Sequence, residues 1–109
     1  MSTTRIETLR DFLKEDPDDP FTNFALALEY LKQDQTEEAL SIFLKIKKHN
    51  PEYVGVYYHL GKLYQQTGDS TEALSVYKEG LSISQRLREH HTANEIQQAI
   101  QELQYDDEV

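Results

Sequence analysis

Apolar residues recur along this chain at helical spacing, and polar breaks cut the recurrence into six stretches. In the first, Ile6, Leu9, Phe12 and Leu13 fall at i, i+3, i+6 and i+7, one face of a helix over residues 3–15 that Ser2, Thr3 or Thr4 could cap. Asp16-Pro17-Asp18-Asp19-Pro20 ends it, because a residue that precedes proline is pushed out of the helical region. A second helix is expected over residues 21–33, with Pro20 suited to its first turn. After Asp34-Gln35 a third covers 36–49. Thr36, Glu37 and Glu38 give it a cappable acidic start, and Lys45, Lys47, Lys48 and His49 complement the dipole at its end. Asn50-Pro51 stops it. A fourth helix is expected over 52–67, Gly68-Asp69 turns the chain, and a fifth, capped by Ser70 or Thr71, runs to Leu87. Arg88-Glu89-His90-His91 reads as a break and Thr92 with Glu95 as a capping box. Ala93, Ile96, Ile100 and Leu103 form the apolar face of a sixth helix over 92–104, and residues 105–109 read as a frayed acidic tail. Links of two to five residues make sequential helices antiparallel.

The pattern repeats with a period of 34 residues. Leu26 returns as Leu60, Tyr30 as Tyr64, Glu38-Ala39-Leu40-Ser41 as Glu72-Ala73-Leu74-Ser75, and Phe43 as Tyr77. Asp16-Pro17 stands at the same distance before Asn50-Pro51, and no gap is needed. A fixed period of this size marks one supersecondary unit stacked on copies of itself. The six helices then arrange as an N-terminal helix (2–16), one copy over 20–53, a second over 54–87, and a C-terminal capping helix (92–104), together one domain over 1–109.

Tyr57-x-x-Leu60-Gly61-x-x-Tyr64 followed by Ala73-x-x-x-Tyr77, and Asn23-x-x-Leu26-Ala27-x-x-Tyr30 followed by Ala39-x-x-x-Phe43 and Pro51, resemble the tetratricopeptide repeat signature. The resemblance covers Pro20 to Ser84. It implies an all-α fold, a right-handed superhelical α-solenoid of antiparallel helix hairpins, with two repeats flanked by an end helix on each side. Small residues at 27, 39, 61 and 73 let the helices of a hairpin approach, and Tyr30, Tyr64, Phe43 and Tyr77 fill the space between hairpins. The chain departs from the signature at Asn23 and Tyr57, where a tryptophan-type residue is usual, and at Gly80, where alanine is usual.

The chain has 109 residues, 38% hydrophobic and 28% charged, a composition that suits thin helical layers better than a central core. It has no cysteine, which excludes a disulfide framework, a thiolate metal site and a cysteine nucleophile, and fits a cytoplasmic protein. No apolar run approaches a membrane span, and the first residues read as neither a signal nor a transit peptide. The net charge is −9, and most of it lies at the ends, with three more acids than bases in residues 1–19 and five more in 88–109. Without a basic stripe, neither nucleic acid nor an anionic membrane surface is an expected partner.

No phosphate-binding glycine loop, nucleophile elbow or zinc-protease histidine pair occurs, so no catalytic residue, cofactor or metal is expected. Ser41, Ser75, Ser82 and Ser84 read as helix surface or packing, His90 and His91 as solvated, and Tyr53, Tyr57, Tyr58 and Tyr105 as the exposed tyrosines. The resemblance points to a concave face instead. By the repeat register it is lined by Phe21, Phe24, Leu28, Leu31 and Lys32 in one copy, and by Gly55, Tyr58, Lys62, Gln65 and Gln66 in the other. Family members that grip acidic chaperone tails use lysine, arginine and asparagine there. Phe24 and Leu28 stand at two of those positions, which argues against such a clamp. An apolar and aromatic groove with Lys62 at its edge suits a peptide or helix with apolar anchors on a partner protein, through Phe21, Phe24, Leu28, Leu31, Tyr58, Lys62 and Gln65. The alternatives are that the N-terminal helix covers the patch, or that a second copy of the chain does so in a homodimer.

Overall fold

The computed structural model describes residues 2–108, with side chains over 5–106. Among the described residues there are six α-helices and no strand: α1 (Ser2–Glu15), α2 (Pro20–Lys32), α3 (Thr36–His49), α4 (Gly55–Gln66), α5 (Ser70–Arg86) and α6 (His90–Glu108). None is long and apolar enough to cross a membrane. The chain divides into two compact units, one up to Tyr53 and one from Val54 onward. In the first, α2 packs against both α1 and α3. In the second, α5 packs against α4 and α6, and α6 also touches α4.

Three turns share one closure. Asp34 N–H bonds Leu31 O at 3.1 Å and Gln35 N–H bonds Tyr30 O at 2.9 Å. The same two bonds recur from Gly68 to Gln65 and Asp69 to Tyr64, and from Arg88 to Gln85 and Glu89 to Ser84. This is the Schellman arrangement, which satisfies the last carbonyls of a helix through one left-handed residue. Asp34, Gly68 and Arg88 accordingly have φ of 59°, 85° and 60°.

Two helix starts and several caps differ from those expected. Because the third turn releases the chain at once, α6 begins at His90, ahead of Thr92, and the expected capping box with Glu95 is not used. It also continues to Glu108, so the segment expected to fray is helical that far; Val109 lies outside the described residues. The N-caps of α2 and α5 are Asp19 and Asp69, and at α5 this replaces the expected Ser70 or Thr71. Their carboxylates accept from Thr22 N–H at 3.0 Å and Glu72 N–H at 3.1 Å. A charged acceptor also suits the positive end of the helix dipole. Hydrogen bonds from the Thr22 hydroxyl and N–H hold the Asp19 carboxyl below its ordinary range. At α3 the cap position is Gln35, which makes no side-chain bond, and Thr36 is already helical. Pro51 and Glu52 form a turn closed by Tyr53 N–H to Asn50 O at 2.9 Å, so α4 starts three residues later than expected. The cap candidates Ser2, Thr3 and Thr4 lie outside the described side chains.

The hairpin of unit 2 is built on two glycines. A methyl group on Gly61 would overlap the edge of the Tyr77 ring, and one on Gly80 would collide with Cβ and Cγ of Tyr57. Both tyrosines are fully buried. Tyr57 was expected to be exposed; Gly80 is what lets it in. Burial, with the Glu79 charge adding to it, pushes the Tyr57 hydroxyl pKa up to about 12. Gly80 therefore gives up helix propensity, about 1 kcal/mol against alanine, for a large aromatic residue in the hairpin. Unit 1 divides the same volume the other way. At the positions of Tyr57 and Gly80 it has Asn23 and Ile46, both buried, which line one small pocket. The Asn23 amide donates to Pro17 O at 3.0 Å and Asp19 O at 2.9 Å, so its polar head is satisfied. Ser84 is fully buried too, and its hydroxyl has no partner.

Three substitutions test this packing by thermal unfolding followed with circular dichroism. Gly80→Ala should lower Tm despite its better propensity, because the new Cβ meets a Tyr57 Cβ fixed to the α4 backbone; such overpacking costs about 1–3 kcal/mol. Arg88→Gly should raise Tm by relieving a left-handed conformation that costs about 1 kcal/mol. Ser84→Ala should also raise it, since an unsatisfied buried hydroxyl costs about 1–3 kcal/mol. A rise for Gly80→Ala, or a fall for either other variant, contradicts the account.

Candidate binding surfaces

On α2, Phe21, Phe24, Leu28 and Leu31 recur at spacings of three, four and three, so they share one stripe. Phe21 is 71% exposed, and Phe24, Leu28 and Leu31 are half-buried. Phe24 is partly committed to packing: its ring lies 5.7 Å from that of Phe43 and 5.3 Å from that of Tyr53, both tilted. Such pairs contribute about 0.5–1.5 kcal/mol beyond their buried area.

α1 engages a different stripe of α2. Arg5 Nε donates to Glu29 Oε1 at 2.8 Å, and Lys32 Nζ joins the same oxygen at 3.2 Å. Arg10 donates to the Tyr30 hydroxyl. Burial pushes the Glu29 carboxyl up, but hydrogen bonds from Lys32 and Arg5, with their charges, outweigh it and leave it below its ordinary value. Glu29 and Tyr30 are displaced around α2 from the Phe21–Phe24–Leu28–Leu31 line. These anchors of α1 therefore lie off the apolar stripe, and Lys32 is paired with Glu29. Phe12, on α1, is 60% exposed, and Leu44, on α3, is 41% exposed.

In unit 2, Tyr58 and Lys62 lie one turn apart on α4 and face α6. With Glu95, Gln98, Ala99 and Glu102 they wall a cleft of about 140 Å³. Lys62 Nζ is 5.5 Å from the centre of the Tyr58 ring and 4.0 Å from Glu102 Oε2. Both side chains of that pair are more than a third exposed, and such a pair contributes about 0–1 kcal/mol. His91 Nε2 is 3.8 Å from Glu95, and His59, half-buried against the edge of the Tyr58 ring, has its pKa lowered by burial, an effect the Glu95 charge opposes. Gln65 is held inward, because Tyr77 Oη donates to its Oε1 at 2.5 Å.

The structure thus brings Phe21, Phe24, Leu28 and Leu31 together on unit 1, and Tyr58 and Lys62 together on unit 2. Gln65 is engaged in packing. The α6 side of the cleft, Glu95, Gln98 and Glu102, was not anticipated from the sequence. The signal was present, since these residues recur at spacings of three and four opposite the apolar face of α6, but polar residues so placed read as solvated surface.

Residues 22–104 match the family model described as Regulator of microtubule dynamics protein 1-3. No curated protein matches the chain. Among solved structures, a tetratricopeptide repeat domain protein from Salinibacter ruber is 37% identical over 79% of this chain and 96% of its own, with a TM-score of 0.77. A protein from Bordetella parapertussis is 25% identical over 94% and 89%, with a TM-score of 0.80. The TPR2B domain of yeast Sti1, solved as a complex with pHsp70, is 16% identical over 96% and 84%, with a TM-score of 0.86, and at that identity it shares the fold alone. The signature residues, the two helix hairpins and these matches agree: the chain belongs to the tetratricopeptide repeat proteins and, through residues 22–104, to the family of Regulator of microtubule dynamics protein 1-3.

Proposed function

We propose that this protein is a non-catalytic interaction module of the cytoplasm that binds a peptide or helix of a partner protein through apolar anchors. The observation that carries this reading is the α2 stripe, on which Phe21 remains 71% exposed while α1 and its ion pairs occupy another side of the helix. An exposed aromatic residue in line with half-buried leucines is a surface that gains by being covered. Phe21, Leu28 and Leu31 serve as the contact on unit 1, with Phe24 anchoring the stripe from beneath. Tyr58 and Lys62 serve on unit 2, and Gln65 supports the Tyr77 hydroxyl behind them. A fold that yeast Sti1 presents in complex with pHsp70 supports a protein partner as the class. The description of the matched family makes a microtubule component the first partner to test.

Phe21→Ser separates binding from folding. As an exposed position it should leave Tm nearly unchanged, within about 0.5 kcal/mol. Loss of an aromatic anchor should weaken partner capture by about tenfold or more. Quantitative co-purification of the wild-type and Phe21→Ser chains, with cosedimentation on polymerised tubulin alongside, reads this out. An unchanged partner set removes the stripe as the site, and absence of the wild-type chain from the tubulin pellet removes the microtubule itself as partner. Light scattering across concentration decides the homodimer alternative: a mass that doubles for wild-type and stays monomeric for Phe21→Ser assigns the stripe to a second copy.

A further inference from the structure

The cleft between α4 and α6 differs in kind from the apolar stripe. Its charged lining is two carboxylates, Glu95 and Glu102, against one ammonium, Lys62, with the Tyr58 ring and the Gln98 amide beside them. The ammonium is the informative group. Lys62 Nζ stands over the face of Tyr58 at 5.5 Å and against Glu102 at 4.0 Å, so the cleft already accommodates a cation, one supplied by the chain itself. It is held loosely. The carboxylate contact is at the outer limit of an ion pair, and both side chains are more than a third exposed. Lys62 also has a long flexible stem that can carry its head out to water. With Lys62 swung away, Glu102 would keep the Gln98 amide, which donates to its Oε1 at 3.3 Å, but no cation would be bonded to it, and the Glu95 carboxylate and the Tyr58 face would stand beside it.

We propose that this cleft receives a cationic side chain, an arginine in preference to a lysine, from a protein partner, and that Lys62 is its displaceable internal occupant. A guanidinium is planar, stacks on an aromatic face and donates along two parallel bonds to a carboxylate, whereas an ammonium is a compact point charge. Glu95, Gln98 and Glu102 share one face of α6, and Tyr58 stands across from them on α4, which supplies both features. The groups facing Glu95 include His91 at 3.8 Å and the half-buried His59, so Glu102 is the principal acceptor. An acidic side chain would meet a net negative lining and is disfavoured. The inference rests on the chain being an interaction module and refines the unit 2 part of it, with Tyr58 the contacting ring and Lys62 the cation that gives way, on a surface separate from the α2 stripe.

The test uses the full chain and probes without apolar anchors: the blocked peptide Gly-Gly-Arg-Gly-Gly, its citrulline counterpart, which is isosteric but uncharged, and its glutamate counterpart. Amide chemical shifts are followed by NMR during titration. The arginine peptide should shift Tyr58, Gln98 and Glu102, and the other two should not. Lys62→Met should tighten the arginine peptide by about threefold or more, because the internal competitor is gone. Glu95→Gln with Glu102→Gln should weaken it by about tenfold or more with helicity unchanged. The proposal is overturned if the citrulline peptide binds equally well, if no peptide shifts the cleft, or if the glutamate peptide binds and loses affinity in Lys62→Met. Any of these, while Phe21→Ser still loses its partner, would overturn the cleft and leave the apolar stripe intact.

Discussion

The close approach of two helices within a hairpin governs most of what is seen here. In unit 2, α4 and α5 approach so closely that each gives up a side chain where the other places a ring: Gly61 under Tyr77 and Gly80 against Tyr57. Those rings account for the largest fully buried side chains of the unit. Once this contact is formed, the register of α4 is set. Tyr58 and Lys62 are then turned toward α6, and Gln65 is drawn back to the Tyr77 hydroxyl. The cleft thus follows from the packing behind it.

Much of this was legible in the sequence, for a physical reason. A 34-residue period is imposed by the stacking unit, so the residues that pack must recur, and Leu26/Leu60, Tyr30/Tyr64, Ala39/Ala73 and Phe43/Tyr77 do. Helix existence and order followed. Helix starts were less legible, because aspartate, serine and threonine stand side by side at Asp69 to Thr71, and any of them can cap. The third Schellman turn was missed because Arg88, unlike Gly68, does not announce a left-handed residue. That single turn moved the start of α6. The cleft was hidden for a further reason: one wall belongs to the repeat and the other to an end helix that lies outside the 34-residue register, so no copy exists to compare it with.

Charge distribution takes on a second meaning in this light. The acidic C-terminal segment first reads as the polar back of an end helix. Part of it is that, but Glu95 and Glu102 also line the cleft with Lys62 and the Tyr58 ring. On the first unit the ionic groups Arg5, Lys32 and Glu29 satisfy one another. The two units therefore present different chemistries on comparable helices, a mainly apolar line on α2 and a polar, net negative cleft beside α4.

The opposite sharing of volume between the repeats also bears on how the chain reaches its fold. α3 and α5 are alike enough in pattern that either is a plausible mate for α2 or α4 during collapse. Ile46 and Gly80 make the mates unequal. α3 laid against α4 would drive Ile46 into Tyr57, and α5 laid against α2 would leave a void beside Asn23. Near-identical neighbours along a chain are a known route to mispaired, exchanged assemblies. Here the two hairpins carry incompatible keys, so the likeness of the repeats in sequence does not extend to letting their helices trade partners.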